Sequence, residues 1–117
     1  MPLITVHTSA EPPSEADSAT FLLELSSTLA RVLGKPEAYV MTCLVPRSRM
    51  TFAGTLEPSC LVEIKSIGGL SSKSARELSD ATCRLARERL GVQTNRTYVV
   101  CADVPAHLWG FDGGTFG

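Results

Sequence analysis

The pattern of apolar and polar positions predicts a strand, a helix and a second strand in the first half of the chain. The segment LITVHT alternates as a half-buried strand does, and apolar residues then recur at helical spacing from about Glu15 to Leu33. Gly34 and Pro36 favour an end to the helix at this point. The segment YVMTCLV, residues 39–45, is predicted to be the second strand. The helical positions are Phe21, Leu22, Leu25, Leu29 and Val32.

The second half repeats this order of elements. The segment CLVEIKSI predicts a strand over 60–67, and a helix is predicted from about Ser72 to Leu90, before Gly91. YVVCADV, residues 98–104, is the predicted closing strand. The positions predicted to be buried on the second helix are Ala75, Leu78, Thr82, Leu85 and Ala86.

The two halves also resemble each other in sequence. When residues 39–54 are aligned with residues 98–113 at an offset of 59, six of sixteen positions are identical. At typical residue frequencies about one match is expected. We therefore expect a single domain over 1–117 that arose by internal duplication, with halves of about 1–58 and 59–117.

This order of elements predicts an α+β fold, a two-layer sandwich. Two β-α-β units with right-handed crossovers give a four-stranded mixed sheet with both helices on one face. The segments at 39–45 and 98–102 are apolar on both faces, as in strands that are covered on both sides. Since the chain's own helices cover only one face, we expect another copy of the chain to cover the other, which predicts a homo-oligomer. In the strand at 60–67, Glu63 and Lys65 alternate with apolar residues, so part of this second face is expected to contact water.

Composition and charge narrow the range of functions. With 11 Lys and Arg residues against 12 Asp and Glu residues, the net charge is -1, and no basic field exists to hold a phosphate backbone. Nucleic acid is therefore not an expected partner. No apolar stretch approaches the roughly 18 residues of a membrane span, and the N-terminus lacks the pattern of a signal peptide. We expect a soluble, unexported, cytoplasmic chain without membrane insertion.

The cysteines and histidines do not favour a metal or a cofactor. There is no C-x-x-C pair and each histidine stands alone, which argues against a zinc site, a redox dithiol and a disulfide scaffold and leaves buried apolar thiols as the expected role. The glycine pairs at 68–69 and 113–114 match neither phosphate-binding signature, and the second is expected to lie in a flexible tail. The residues concerned are Cys43, Cys60, Cys83, Cys101, His7 and His107.

The residues that could carry chemistry each have an ordinary structural role as well. Pro2 opens the first strand, where its missing N–H need not be paired. Lys35 is placed to stabilise the C-terminus of the first helix, an effect of up to about 1 kcal/mol. Tyr98 and Phe116 would ordinarily be packing residues, and segment 66–69 a plain exit from a strand. Taken singly, these residues identify no function.

Taken together in one order and spacing, the short motifs resemble the macrophage migration inhibitory factor family of tautomerases. The resemblance runs from Pro2 to Phe116 at close to the family's length. It implies a trimer whose subunits each carry two antiparallel helices on a four-stranded sheet, with three active sites at subunit interfaces. The motifs are MP at the start, GKP at 34–36, FAG at 52–54, EP at 57–58, SIGG at 66–69, RTY at 96–98 and GTF at 114–116.

The resemblance also implies a role for each residue of the site. Pro2, exposed after removal of Met1, is the expected catalytic base, and Lys35 is expected to bind a substrate carboxylate. The backbone of Ile67 is expected to offer a hydrogen bond, while Tyr98 of the adjacent subunit and Phe116 are expected to wall the pocket.

Elementary chemistry supports such a role for a terminal proline. Once Met1 is cleaved, Pro2 is a secondary amine whose lone pair the ring holds at a fixed angle. Burial and a neighbouring Lys35 cation both disfavour the charged form of an amine, so it can be neutral at pH 7 and act as a general base. The implied reaction is keto-enol tautomerisation of an α-keto acid such as phenylpyruvate, or of dopachrome-like compounds.

Other interpretations stay open at this point. The chain could be a cytokine-like interaction protein, released by a non-classical route, whose surface binds a protein receptor and whose pocket is incidental, or an inactive trimeric relative. Where the animal factor has an asparagine two residues past the tyrosine, this chain has Val100, which disfavours recognition of a substrate hydroxyl. Phe111 stands in for a tryptophan. The animal protein's C-x-x-C after EP is missing, so a thiol oxidoreductase activity is not expected.

Overall fold

The computed structural model describes residues 1–117 and contains two long helices and six strands. Three single 3-10 turns, at Glu37–Tyr39, Thr94–Arg96 and Ala106–Leu108, connect them. The helices are α1 (Glu15–Leu33) and α2 (Ser72–Leu90), and the strands are β1 (Pro2–Thr8), β2 (Met41–Val45), β3 (Cys60–Ser66), β4 (Thr97–Asp103), β5 (Gly110–Phe111) and β6 (Gly114–Thr115).

The first four strands form one mixed sheet in the order β2-β1-β3-β4. Each half contributes a parallel pair, β1 with β2 and β3 with β4, and the two halves meet where β1 runs antiparallel to β3. Both helices pack on one face of this sheet and against each other. The predicted α+β two-layer sandwich is confirmed.

The core lies between the helices and the two central strands. Alternate residues of β1 and β3 point into it, and the helices contribute residues at four-residue spacing, because positions i and i+4 share a helix face. The prediction of the α2 positions was partly wrong, since Ala75 and Leu85 lie at the flanks and are only half-buried, while Ala81 and Leu90 are buried instead. The fully buried core side chains include Ile4, Val6, Phe21, Leu25, Leu29, Val62, Ile64 and Leu78.

The second strand is shorter than predicted at its start. Tyr39 belongs to a 3-10 turn that follows Pro36, and the Val40 N–H closes this turn by donating to the Glu37 carbonyl at 3.0 Å. β2 therefore begins at Met41. The turn releases Tyr39 from the sheet, so its side chain is free to lie at the edge of the sheet rather than on one of its faces.

The C-terminal segment is a β-hairpin and not the flexible tail that the sequence suggested. β5 pairs with β6 across a tight turn in which Asp112 has a φ of 51° and Gly113 a φ of 79°. Two successive residues with positive φ are the requirement of a type I′ turn, for which Asp-Gly is a preferred sequence. The Phe116 N–H donates to the Trp109 carbonyl at 3.2 Å, and this hydrogen bond extends the pairing beyond the ends of β5 and β6.

The same turn occurs once more in the chain, 59 residues earlier. Phe52 and Thr55 form an isolated antiparallel bridge around Ala53, at a φ of 53°, and Gly54, at a φ of 74°. This offset is the one at which the two halves align in sequence. The repeated backbone geometry supports the proposed duplication.

The face of the sheet opposite the helices carries exposed apolar side chains at both edges. Met41 is 64% exposed on β2, and Tyr98 and Val100 are 63% and 54% exposed on β4. The central strands bring Glu63 and Lys65 to the same face, as their alternation predicted. No helix of the chain combines the length and the apolar character that crossing a membrane requires.

Candidate active site

Pro2 lies at the start of a central strand. It is the first residue of β1, opposite Ser66 of β3, and its ring is less than 2% exposed. Met1 is half-buried beside it. The Pro2 nitrogen is an amide while Met1 is attached and becomes a secondary amine once Met1 is removed, so a buried amine would then open the strand.

A cavity of about 290 Å³ adjoins this end of β1. Its walls are mainly apolar and come from the edge strand β2, the turn before β2 and the C-terminal hairpin. Burial there would disfavour charge on an amine. The lining residues are Met1, Pro2, Leu3, Ala38, Tyr39, Val40, Met41, Trp109, Gly110, Phe111 and Phe116.

Three aromatic rings pack together along one wall of the cavity. Phe111 and Phe116 are stacked, with ring centroids 5.4 Å apart and an angle of 15° between their planes. Tyr39 stands edge-on to both, at 5.8 Å from Phe111 and 6.2 Å from Phe116. The cavity therefore has an aromatic wall, which can pack against a planar, conjugated ligand.

Lys35 reaches toward the loop between β3 and α2. A Cβ placed on Gly68 would lie 3.9 Å from Lys35 Nζ, and one on Gly69 would lie 3.5 Å from Lys35 Cε and only 3.2 Å from the Leu33 carbonyl oxygen. Gly69 also has a φ of 79°, which side chains disfavour, so both space and backbone conformation require glycine there. None of the three ion pairs of the chain uses Lys35, which leaves its charge available to a ligand.

The charge of Lys35 acts on the amino terminus. Burial, and after it the Lys35 cation, lower the pKa of the Met1 amine below its usual value. Pro2 lies deeper than Met1, since its ring is buried where Met1 is only half-buried. The Pro2 nitrogen directly follows Met1 in the chain, so an amine at Pro2 would be subject to both effects in the same direction.

Ile67 lies in the loop that follows β3. Ser66 Oγ donates to the Gly68 carbonyl at 2.7 Å, and the Gly68 N–H donates to Asp103 Oδ1 at 2.9 Å, so the residues on either side of Ile67 are fixed. The backbone groups of Ile67 themselves take part in none of the chain's loop or side-chain hydrogen bonds. Its N–H therefore has no partner within the chain.

Tyr98 is not brought to Pro2 within one chain. It lies opposite Leu61 on β3, and Leu61 lies opposite His7 of β1. His7 is five residues along β1 from Pro2, about 17 Å at the usual rise of a strand. Tyr98 instead contacts Phe52, with ring centroids 5.0 Å apart. A second copy of the chain would have to bring Tyr98 to the site.

Several residues that line the cavity were not predicted from the sequence, among them Tyr39, Met41 and Trp109. A signal for Tyr39 was present, since Tyr39 and Tyr98 occupy equivalent positions in the two halves. The structure extends this equivalence: Tyr39 packs on Phe111 and Tyr98 packs on Phe52, and each phenylalanine belongs to the other half of the chain. Met41 and Trp109 carried no such signal.

The cysteines lie away from this cavity. Cys60 is buried, as predicted, and Cys83 and Cys101 are partly buried, but Cys43 is exposed, so the prediction of buried thiols was wrong for Cys43. Burial raises the pKa of each of the other three thiols, which disfavours the nucleophilic thiolate. All four cysteines are free thiols.

Comparison with known proteins gives a consistent result. The family model described as macrophage migration inhibitory factor (MIF) matches residues 1–117. The macrophage migration inhibitory factor of Rattus norvegicus is 35% identical over 116 residues, which cover 99% of each chain. The homolog from Brugia malayi is 32% identical over 117 residues, 100% of each chain. Among solved structures, the homologue from Prochlorococcus marinus superposes with a TM-score of 0.92 at 48% identity, and the match covers 98% of this chain and 99% of that one.

Proposed function

Because the chain belongs to the macrophage migration inhibitory factor family, which is part of the tautomerase superfamily, we propose that it is a keto-enol tautomerase with Pro2 as its general base. One observation carries this proposal: the start of β1 is buried at an apolar cavity, and burial together with the unpaired Lys35 lowers the pKa of the amine on the adjoining Met1. The base forms when Met1 is removed.

The proposed substrate is an α-keto acid or its enol, of the phenylpyruvate or dopachrome type. The Pro2 nitrogen takes a proton from the carbon beside the carbonyl, the electron pair of that C–H bond forms a C=C bond, and the π pair of the carbonyl moves to its oxygen to give the enolate. The protonated amine then returns a proton to the oxygen, so the base is regenerated and no cofactor is needed. The aromatic wall of Tyr39, Phe111 and Phe116 supports the planar conjugated system that forms.

Charge and hydrogen bonding assist the same step. Lys35 binds the substrate carboxylate and stabilises the negative charge that develops toward the oxygen. The N–H of Ile67, which has no partner within the chain, donates a further hydrogen bond. Val100 presents no hydrogen-bonding group, so we propose that a substrate hydroxyl is not recognised there.

The proposed assembly is a homotrimer, which is typical of the family's structures, and we place one site at each interface. It is supported by the exposed apolar edges of the sheet and by the distance of Tyr98 from Pro2 of its own chain. In the trimer, Tyr98 of one subunit completes the pocket of the next.

The first test measures phenylpyruvate enolisation by the wild-type protein after intact-mass measurement has shown that Met1 is absent. We expect catalysed enolisation, with an acid limb in the pH profile of kcat/KM that reports the amine. Absence of catalysis in fully processed protein would contradict the tautomerase proposal. It would favour the alternative, a cytokine-like protein that acts through a receptor after non-classical secretion.

The second test addresses the assembly through Val100→Lys. Val100 lies opposite Glu63 in the strand pair, so a lysine there can face a carboxylate within the monomer but would bury a charge in the proposed interface. We expect light scattering to give the mass of three chains for the wild type and of one chain for the variant, with enolisation lost in parallel.

Leu23→Lys is the matched control for this substitution. Leu23 is 68% exposed on α1, on the helical layer rather than on the open face of the sheet. We expect this variant to keep the wild-type mass. A Val100→Lys protein that stays trimeric would show that the open face is not the interface.

A further inference from the structure

Arg96 is a buried cation without a carboxylate partner. It is 8% exposed, and none of the three ion pairs of the chain includes it. Each of its side-chain nitrogens donates instead to a backbone carbonyl: Nε to Pro58 at 2.9 Å, Nη1 to Phe52 at 3.2 Å and Nη2 to Glu57 at 2.9 Å. All three hydrogen bonds of the guanidinium are thus made to one segment, residues 52–58.

Segment 52–58 depends on these three bonds. Its other hydrogen bonds are internal and join Phe52 to Thr55 around the tight turn. No other hydrogen bond connects the segment to the rest of the chain. Arg96 therefore provides the hydrogen bonds that hold this segment against the start of β4.

Arg96 also contacts an aromatic ring of this segment. The guanidinium carbon of Arg96 lies 5.3 Å from the centre of the Phe52 ring, within cation–π range. Phe52 in turn packs on Tyr98, at 5.0 Å with an angle of 62° between the rings. Tyr98 is 63% exposed and makes no other aromatic contact, so Phe52 is the ring that restricts its orientation.

We propose that Arg96 is a positioning residue for substrate binding. By holding segment 52–58 it places Phe52, and through Phe52 it fixes the orientation in which Tyr98 is presented to the pocket of the neighbouring subunit. What Tyr98 contacts in that pocket rests on the function proposed above. The hydrogen bonds and the ring contacts of Arg96 stand independently of it.

The kinetic test uses Arg96→Lys. Lysine keeps the positive charge but has no planar fork with which to hold three carbonyls. We expect KM for phenylpyruvate to rise about three- to tenfold, the effect of a lost aromatic contact, while kcat changes less than about twofold. Arg84→Lys is the matched control, since Arg84 is exposed on α2 and pairs only with Asp80, and its KM is expected to equal that of the wild type.

A double-mutant cycle separates positioning from a general structural role. If Arg96 acts through Tyr98, then adding Arg96→Lys to Tyr98→Ala raises KM no further. An equal rise in both backgrounds would overturn the proposal, and so would an unchanged KM in the single variant. Circular dichroism and light scattering first establish that each variant is folded and assembled.

A measurement without substrate keeps the inference testable if the tautomerase proposal fails. The chain has only two tyrosines, so protein labelled with 3-fluorotyrosine gives two ¹⁹F resonances, which Tyr39→Phe assigns. We expect Arg96→Lys to shift or broaden the Tyr98 resonance and to leave that of Tyr39 unchanged. Phe52→Leu should have the same effect with the three carbonyl bonds intact, and it replaces Arg96→Lys if that variant does not fold. A Tyr98 resonance unaffected by both substitutions would overturn the proposal.

Discussion

Insertion of an alanine between Met1 and Pro2 is expected to reduce the catalysed enolisation of phenylpyruvate by about 10²- to 10⁴-fold, the contribution of a positioned general base. After removal of Met1, the inserted residue would carry the terminal amine and Pro2 would be an ordinary amide. An amide nitrogen has no basic lone pair, and the new amine would lie one residue outside the buried start of β1. Stopped-flow measurement of enol formation, with intact mass on the same samples, checks this result.

The matched control keeps a terminal amine at position 2. In Pro2→Ala the amine remains at the start of β1 but loses the ring that orients it, so we expect an activity between those of the wild type and the insertion variant. Both proteins should have the wild-type circular dichroism spectrum and mass of assembly. An insertion variant as active as the wild type would exclude Pro2 as the base.

The sequence was sufficient to predict the layers of the fold because each layer has its own period. The alternation in LITVHT and CLVEIKS and the four-residue spacing from Phe21 to Leu29 follow directly from strand and helix geometry. The hairpin after Gly110 was missed because each of its strands is two residues long, too short to show any period. Its signal was the turn sequence Asp112-Gly113, whose meaning depends on the strands on either side.

The residues of the candidate site likewise fall into those that the sequence could indicate and those that it could not. Pro2 and Lys35 could be proposed from motifs close to strand and helix ends, and the structure places both near the amino terminus. Tyr39 could not be placed, since a strand prediction put it on the face of the sheet, whereas a 3-10 turn brings it to the edge beside Phe111. The role proposed for Tyr98 depends on a second chain, which no pattern within one chain can position.

The proposed duplication would explain why the two tyrosines act at different sites. Tyr39 and Tyr98 are equivalent positions, and each packs on a phenylalanine of the opposite half. Only the first half of the chain has the amino terminus at the start of its central strand. Tyr39 therefore lines a cavity of its own chain, while its equivalent is left exposed at the other edge of the sheet, where an assembly can use it.

Two roles for Lys35 were consistent with the sequence, stabilisation of the C-terminus of α1 and binding of a substrate carboxylate. Its side chain lies along Gly68 and Gly69, and it acts on the amino terminus. Arg31 is the basic residue within the last turn of the helix. The position of the Lys35 side chain thus favours the second role. Removal of its charge is expected to change both KM and the pH profile.

Lys35→Gln should raise KM for phenylpyruvate by about ten- to a hundredfold, because a hydrogen bond between two charged groups is lost. It should also move the pH profile. The Lys35 cation lowers the pKa of the Met1 amine, so we expect its removal to raise the pKa of the amine that Pro2 carries once Met1 is cleaved. Only the neutral amine accepts a proton, and the acid limb of kcat/KM should therefore move to higher pH.

Lys35→Arg separates these two effects. The guanidinium keeps the positive charge, so the acid limb should stay close to its wild-type position, while the altered donor geometry weakens carboxylate binding. Rates measured across the pH range for the wild type and both variants decide between the two roles. If Lys35 only stabilised the end of α1, Lys35→Gln would lower the free energy of unfolding by up to about 1 kcal/mol and leave both KM and the acid limb where they are.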